Sequence, residues 1–193
     1  MQTLIRATGL LRLVAPGMAR AETLMPDLTM ERGVAANQTY PAEGERVGTV
    51  AFFTGCVMNS MLGSVNRASV RLLNAAGYDV VVPGTQTCCS ALANHAGLRE
   101  TAIEAAKRNT AAFSDPKIEA VLVNAAGCGA MLKEYPHILE GAAGFSSRVK
   151  DISEFLATTR LASRLKVPLN KRVGYDDPCH LIHGQRIFRH FRS

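Results

Sequence analysis

Five cysteines punctuate this chain: Cys56, the adjacent Cys88 and Cys89, Cys128 and Cys179. The adjacent pair raises the chemical question. Neighbours in a helix or strand point in different directions, and a disulfide between them closes a small, strained ring. A loop can turn both thiols towards one point if other thiolates meet them there around a metal. Cys56, Cys88, Cys89 and Cys128 suffice for tetrahedral zinc or for a four-iron cluster. Cys179 would be a fifth ligand, or the first of another site. A free cysteine is often just a small buried hydrophobe, but that suits one cysteine better than a set. "NAAGCGAML" brackets Cys128 with Gly127 and Gly129 directly before an expected helix, and Gly55 precedes Cys56. Such glycines let backbone N–H groups approach cluster sulfurs. An ordinary strand-to-helix turn also favours glycine, and no G-x-G-x-x-G fingerprint is present.

The cysteines converge only if the chain between them brings them together. The apolar run Val47 to Phe53 reads as a buried strand. Leu62, Val65, Ser69, Leu72, Leu73 and Ala76 then recur at helical spacing, with Gly77 as the stop. "YDVVVP" is a second strand. "GLRETAIEAAKRNTAAF" is a second helix facing inward with Leu98, Ala102, Ala105, Ala106 and Ala112 or Phe113. Ala120 to Asn124 is a third strand, followed by a helix from about Ala130 to Leu139. "VKDISEFLAT" is a helix with Asp151 or Ser153 as its cap and Glu154 in its first turn. "KRVGYDD" is a fourth strand, with Arg172 to Tyr175 at a sheet edge. This alternation predicts an α/β fold: an open, mainly parallel sheet with helices on both faces. Each cysteine then follows a strand, so all lie in loops at the carboxyl edge, where ligands bind in such sheets.

Composition sets the remaining bounds. The 193 residues are 47% hydrophobic and 20% charged, the balance of a globular protein. The net charge of +6 comes without a lysine/arginine run, and 6% aromatic residues do not support nucleic-acid binding. No apolar stretch is long enough to span a membrane. At the start, Ala19-Arg20-Ala21 resembles a signal cleavage site, but Arg12 interrupts the apolar patch and a signal peptide fits badly. A short amphipathic helix from Leu4 to Val14, ended by Pro16, fits better. Residues 1–47 read as extension and linker, "ANQTYPAEGER" included, and 48–193 as the cysteine-bearing domain. An odd number of cysteines suits a reduced, cytoplasmic thiol set better than a disulfide framework. His95, His180 and His183 lie near cysteines, where loop capping or hydrogen bonding is their expected role. Cys179-His180 is a poor nucleophile–base pair because adjacent side chains rarely orient for it. No catalytic residue is assigned. Arg186, Arg189 and Arg192 read as a solvated helix face. The segment after Cys179 would begin a helix near Leu181, leaving Ile182, Ile187 and Phe188 little to pack against.

Gly55-Cys56 followed by Cys88-Cys89 resembles the cysteine-rich CCG domain family. "TGCVMN", "RLLNAAGYDVVVP", "CCSALANHAG", "NAAGCGAMLKEY", "DISEFL" and "YDDPCHLIHGQRI" resemble the iron–sulfur subunit of glycolate oxidation within it. The likeness runs from about Gly48 to Ile187. It implies iron–sulfur ligation, with a [4Fe–4S] cluster as the expected cofactor and zinc as the alternative. It also implies FAD-binding partner subunits that oxidise a 2-hydroxy acid such as glycolate, and electrons passing towards a membrane quinone. The location would be the cytoplasm, or the inner face of the membrane through those partners. Three departures stand out. The motif's glycine is here Ser90. Cys128 stands alone where the broader family has C-x-x-C. The ferredoxin-like region and second CCG repeat of those subunits are missing, and Cys179 looks like the opening of that repeat. A fragment is therefore expected. The alternatives are a zinc-binding or structural scaffold module, or a non-functional remnant.

Overall fold

Successive residues of a strand face opposite sides of a sheet, and here both sides are apolar. In the computed structural model, which describes residues 15–23, 32–161, 170–172 and 174–187, Val50 and Phe52 fall in one buried cluster while Ala51 and Phe53 fall in another. Leu122 and Val121 divide in the same way. Such two-faced burial is the signature of a parallel sheet covered by helices on both sides.

The chain divides into two compact units, Met1–Glu31 and Arg32–Ser193. In the first, helix α1 spans Pro16–Thr23. Pro16 opens this helix, at the position where its missing N–H leaves no bond unmade. The expected helix Leu4 to Val14 lies outside the described residues.

The second unit contains the sheet. Its strands are β1 (Gln38–Tyr40), β2 (Gly48–Phe52), β3 (Tyr78–Val82), β4 (Val121–Val123) and β5 (Val149–Asp151). Their order is β1-β3-β2-β4-β5. β1 pairs antiparallel to β3, and the other pairs are parallel. Helices α2 (Cys56–Met61) and α3 (Gly63–Ala75) connect β2 to β3. Helices α4 (Ala91–His95) and α5 (Arg99–Ala112) connect β3 to β4. Helix α6 (Ala126–Lys133), a 3-10 turn Tyr135–His137 and α7 (Ala143–Ser146) lead to β5, and α8 (Ile152–Ala157) follows it. α3 and α8 contribute Val70, Leu73 and Phe155 to one face. α5, α6 and α7 contribute Ala102, Ala106, Met131, Leu132 and Phe145 to the other. The α/β fold with a mainly parallel sheet is the one expected. Among the described residues no helix is long and apolar enough to cross a membrane.

Four expectations need correcting. The fourth parallel strand is Val149–Asp151, and residues 170–172 and 174–177 of the "KRVGYDD" region carry no strand. Val149 and Asp151 are buried beside β4, whereas the described residues of the later run are mostly exposed and bracketed by charge. Asp151 is at once the end of β5 and the N-cap of α8, with a capping box to Glu154. The stretch read as a linker contains β1. It is short and antiparallel, so its polar residues can occupy a sheet edge facing water. The third helix begins at Ala126, earlier than expected, so Cys128 lies within its first turn. Finally, the segment after Cys179 does find packing. Leu181 and Ile187 are 4% and 5% exposed, the first within and the second just beyond a single π turn, His180–Gly184, closed by Gln185 N–H on the His180 carbonyl at 3.0 Å. Phe188 lies outside the described residues.

Candidate metal centre

Four of the five cysteines meet. The Sγ atoms of Cys56 and Cys88 are 3.4 Å apart, and Cys89 donates to Cys128 across 3.3 Å. The two pairs share one neighbourhood, since Cys56 and Cys88 both act electrostatically on Cys128. Cys56 and Cys88 are exposed, Cys128 is half-buried and Cys89 is buried, so the centre has an outer and an inner pair. Cys179 is exposed and enters neither pair.

The positions follow from the parallel sheet. β2, β3 and β4 run side by side, and their carboxyl ends open at one edge. Beyond β2 the chain turns through Gly55, whose φ of 66° is left-handed, and Cys56 opens α2. A side chain at position 55 would be strained in that conformation. Beyond β3 the irregular stretch 84–90 delivers Cys88 and Cys89 together, as a loop alone can do. Beyond β4 only Asn124 and Ala125 precede α6.

Ser90 ends the two-cysteine loop with φ 65° and ψ 20°. Left-handed backbone is natural for glycine and costs other residues about 1 kcal/mol or more. Serine here holds a backbone conformation that glycine adopts freely. Its N–H still reaches the Cys88 sulfur at 3.4 Å.

Buried amides tie the loops down. Asn109 on α5 has no exposed surface. It accepts from the Thr87 N–H at 2.8 Å and donates to the Cys88 carbonyl at 3.1 Å and to the Tyr135 hydroxyl at 2.9 Å. Tyr135, equally buried, donates to the Cys89 carbonyl at 3.1 Å. Gln86 accepts from the Thr54 N–H at 2.9 Å and donates to the Phe52 and Pro83 carbonyls. Asn66 donates to the Thr54 carbonyl at 2.9 Å and accepts from Asn124 at 2.9 Å. All three strand ends are therefore joined by side-chain amides.

Sequence reasoning missed these residues, though a signal existed. Asn109 sits three residues beyond Ala106 and seven beyond Ala102, on the inward face of α5. Asn66, Ser69, Val70 and Leu73 form the buried face of α3, leaving Leu62 and Val65 43% exposed and Leu72 39%. Asparagine is a poor helix former, so one at an inward helical position indicates a partner to be bonded.

The electrostatics follow from the pairing. The hydrogen bond from Cys89 holds the Cys128 thiol below its ordinary range, against the opposing effect of burial. Donation to Cys128 and burial push Cys89 up. Burial, then the hydrogen bond with Cys88, raises Cys56. The surroundings add no negative charge of their own. Residues 46–78, 80–99 and 120–133, which carry all four cysteines, contain no aspartate or glutamate.

An all-thiol donor set fits zinc or an iron–sulfur cluster. A zinc–sulfur bond of about 2.3 Å gives a tetrahedral edge of about 3.8 Å, so the observed pairs are slightly closer than zinc would hold them. Among the described residues no three His, Cys, Asp or Glu side chains already enclose an ion-sized point. The sulfurs close on one another and must spread to admit a metal.

The candidate glycines differ in their surroundings. A Cβ at Gly55 would meet Met58 at 3.5 Å, and one at Gly127 would meet nothing within 4 Å. One at Gly129 would come within 2.5 Å of the Gln185 amide nitrogen. His95 and His180 stack with ring centroids 6.5 Å apart.

Residues 50–133 match the family model CCG, described as a cysteine-rich domain. The chain carries a CCG domain. All four paired cysteines lie within it, while Cys179 does not. The chain is 38% identical over 192 residues to the probable glycolate oxidase iron-sulfur subunit of Bacillus subtilis (strain 168), covering 94% of this chain and 43% of that one. To the lactate utilization protein A of Geobacillus thermodenitrificans it is 31% identical, covering 68% and 57%. It is 27% identical to the glycolate oxidase iron-sulfur subunit of Escherichia coli (strain K12), covering 72% and 36%. The CCG domain and its flanks thus span between about a third and three-fifths of these relatives. No solved structure matches the chain.

Proposed function

We propose that this chain is an iron–sulfur electron-transfer component of a 2-hydroxy-acid oxidising complex, with Cys56, Cys88, Cys89 and Cys128 as the ligands of one four-iron cluster. The observation that carries the reading is the meeting of four thiols in stretches without a single carboxylate. Four thiolates bring four negative charges to one point, and nearby acids would oppose their ionisation. The names of the similar proteins, glycolate oxidase iron-sulfur subunit among them, point to iron–sulfur and not zinc. When bound, such a cluster accepts and releases single electrons.

The chain's own residues supply the setting. Cys89 and Cys128 anchor the centre inside, and Cys56 and Cys88 hold it at the surface, where a redox partner can approach. Asn109, Tyr135, Gln86 and Asn66 fix the backbone of the loops, while the sulfurs themselves must spread on binding. The hydroxy acid is oxidised on a flavin-bearing partner, and the electrons continue towards quinone.

Purification without oxygen, followed by iron and acid-labile sulfide analysis, tests the reading. A coloured protein with about four of each per chain is expected. Stoichiometric zinc without sulfide would overturn it and leave a structural CCG module. Cys89→Ser should lower metal content far more than Cys179→Ser. Equal losses would make Cys179 a ligand of the same centre.

A further inference from the structure

The segment from Pro178 to Ile187 lies across α6, and one of its side chains is bonded in an uneconomical way. The Gln185 carboxamide donates to the Ala126 carbonyl at 2.9 Å, while its Oε1 is buried with no hydrogen-bond partner. A half-satisfied buried amide is a worse core group than an apolar side chain of the same shape. What it does for its neighbours is therefore the better explanation of its presence.

Those neighbours begin at the first turn of α6. No side chain caps this helix, so its start has no local anchor. Gln185 holds Ala126, the first residue of the helix. Gly129 leaves the space in which the carboxamide lies, and Gly184 approaches Ala130, where a Cβ would come within 3.2 Å. Ala126, Gly129 and Ala130 share one face of α6. Cys128 projects roughly 150° from that face at about 3.6 residues per turn. The segment thus backs the helix while Cys128 faces Cys89 on the other side. Its first residues reach α4, the helix that follows the two-cysteine loop, through His180 stacked on His95. Leu181 and Ile187 anchor it in the core.

We propose that this segment is a clasp and Gln185 a positioning residue, which hold Cys128 against Cys89 by fixing the first turn of α6 from behind. The proposal rests on the reading of the four cysteines as one centre, and it places a determinant of that centre more than fifty residues beyond Cys128. Gly129 is the notch that admits the clasp.

The test is a double-mutant cycle on the full chain, read by alkylation of each cysteine in the reduced, metal-free protein with mass spectrometry. Gln185→Ala should raise the Cys128 rate at least fivefold and leave Cys56 within twofold. Gly129→Ala should act alike, because its methyl group displaces the carboxamide. Combined with Gln185→Ala it should add nothing, and it should then raise the melting temperature, since the glycine is no longer needed and alanine suits a helix. Gln185→Met retains the volume and removes the hydrogen bond. It should behave as Gln185→Ala does, and wild-type protection of Cys128 in this variant would reduce the clasp to packing and overturn the proposal. An unchanged Cys128 rate in a folded Gln185→Ala protein, or additive effects of the two substitutions, would also overturn it. In anaerobically purified protein, Gln185→Ala should lose its metal to a chelator several-fold faster than wild type. A wild-type chain that takes up no metal would remove the metal centre, while the alkylation rates would still decide whether the clasp exists.

Discussion

Replacing Asn109 with alanine should loosen the two-cysteine loop and lower stability together. Three hydrogen bonds disappear: from Thr87 N–H, to the Cys88 carbonyl and to the Tyr135 hydroxyl. At about 1 kcal/mol net for each, the loss is about 3 kcal/mol. The better helix propensity of alanine returns about 0.5 kcal/mol. The remaining ~2.5 kcal/mol corresponds to a melting temperature lower by about 5–10 °C for a domain of this size. Circular dichroism of the reduced, metal-free protein measures that shift. Alkylation then asks where the structure has loosened. Cys89, buried in the intact protein, should react several-fold faster, because the Cys88 carbonyl loses its donor and the Tyr135 hydroxyl that bonds the Cys89 carbonyl loses its own support from Asn109. Asn66→Ala is the control. Its three bonds run to Thr54, Asn59 and Asn124, so it should also lower the melting temperature but speed the alkylation of Cys56 rather than that of Cys89. An Asn109→Ala protein that melts within about 2 °C of wild type, or that melts early with Cys89 still protected, would refute the idea that this amide holds the loop.

Ser90→Gly should stabilise the fold. Relief of the left-handed backbone is offset in part by the greater freedom of glycine in the unfolded chain, leaving a gain of about 0.5–1 kcal/mol that thermal melting can read. A lower melting temperature would show that the serine side chain outweighs the strain. Asp151→Asn should alter the pH dependence of stability. Burial holds the Asp151 carboxyl above its ordinary value of 3.8, although the Ser153 N–H partly counters it. The folded protein therefore keeps that proton longer than the unfolded chain, and stability falls as pH rises from the ordinary value through the raised one. Asparagine caps the helix equally well without titrating. The stability of the variant relative to wild type should therefore grow as pH rises above the ordinary value of 3.8, and urea titrations showing a constant difference would contradict this.

Much of the framework was legible in the sequence because it depends on local pattern. The runs around Val50, Val80 and Val121 could only be buried strands between helices, and in such an alternation the segments after them emerge at one edge. That placed all five cysteines at one edge before any distance was known, and four of them, without Cys179, pair there. The cap of α8 was legible to within two residues, as Asp151 or Ser153, since a capping box spans four residues, and the structure selects Asp151. The tertiary structure decided what depends on distant partners. Whether Val149–Asp151 or "KRVGYDD" extends the sheet turns on which segment can be buried beside β4. Asn66 and Asn109 were passed over because the carbonyls they bind belong to loops outside their own helices. Gln185 and Gly129 have no common local pattern, and only packing brings the notch to the amide. The residue types and their order determined that four thiols would share one edge. Three-dimensional packing determined which two lie inside, which two face solvent and what holds them there, because hydrogen bonds and burial depend on proximity in space and not along the chain.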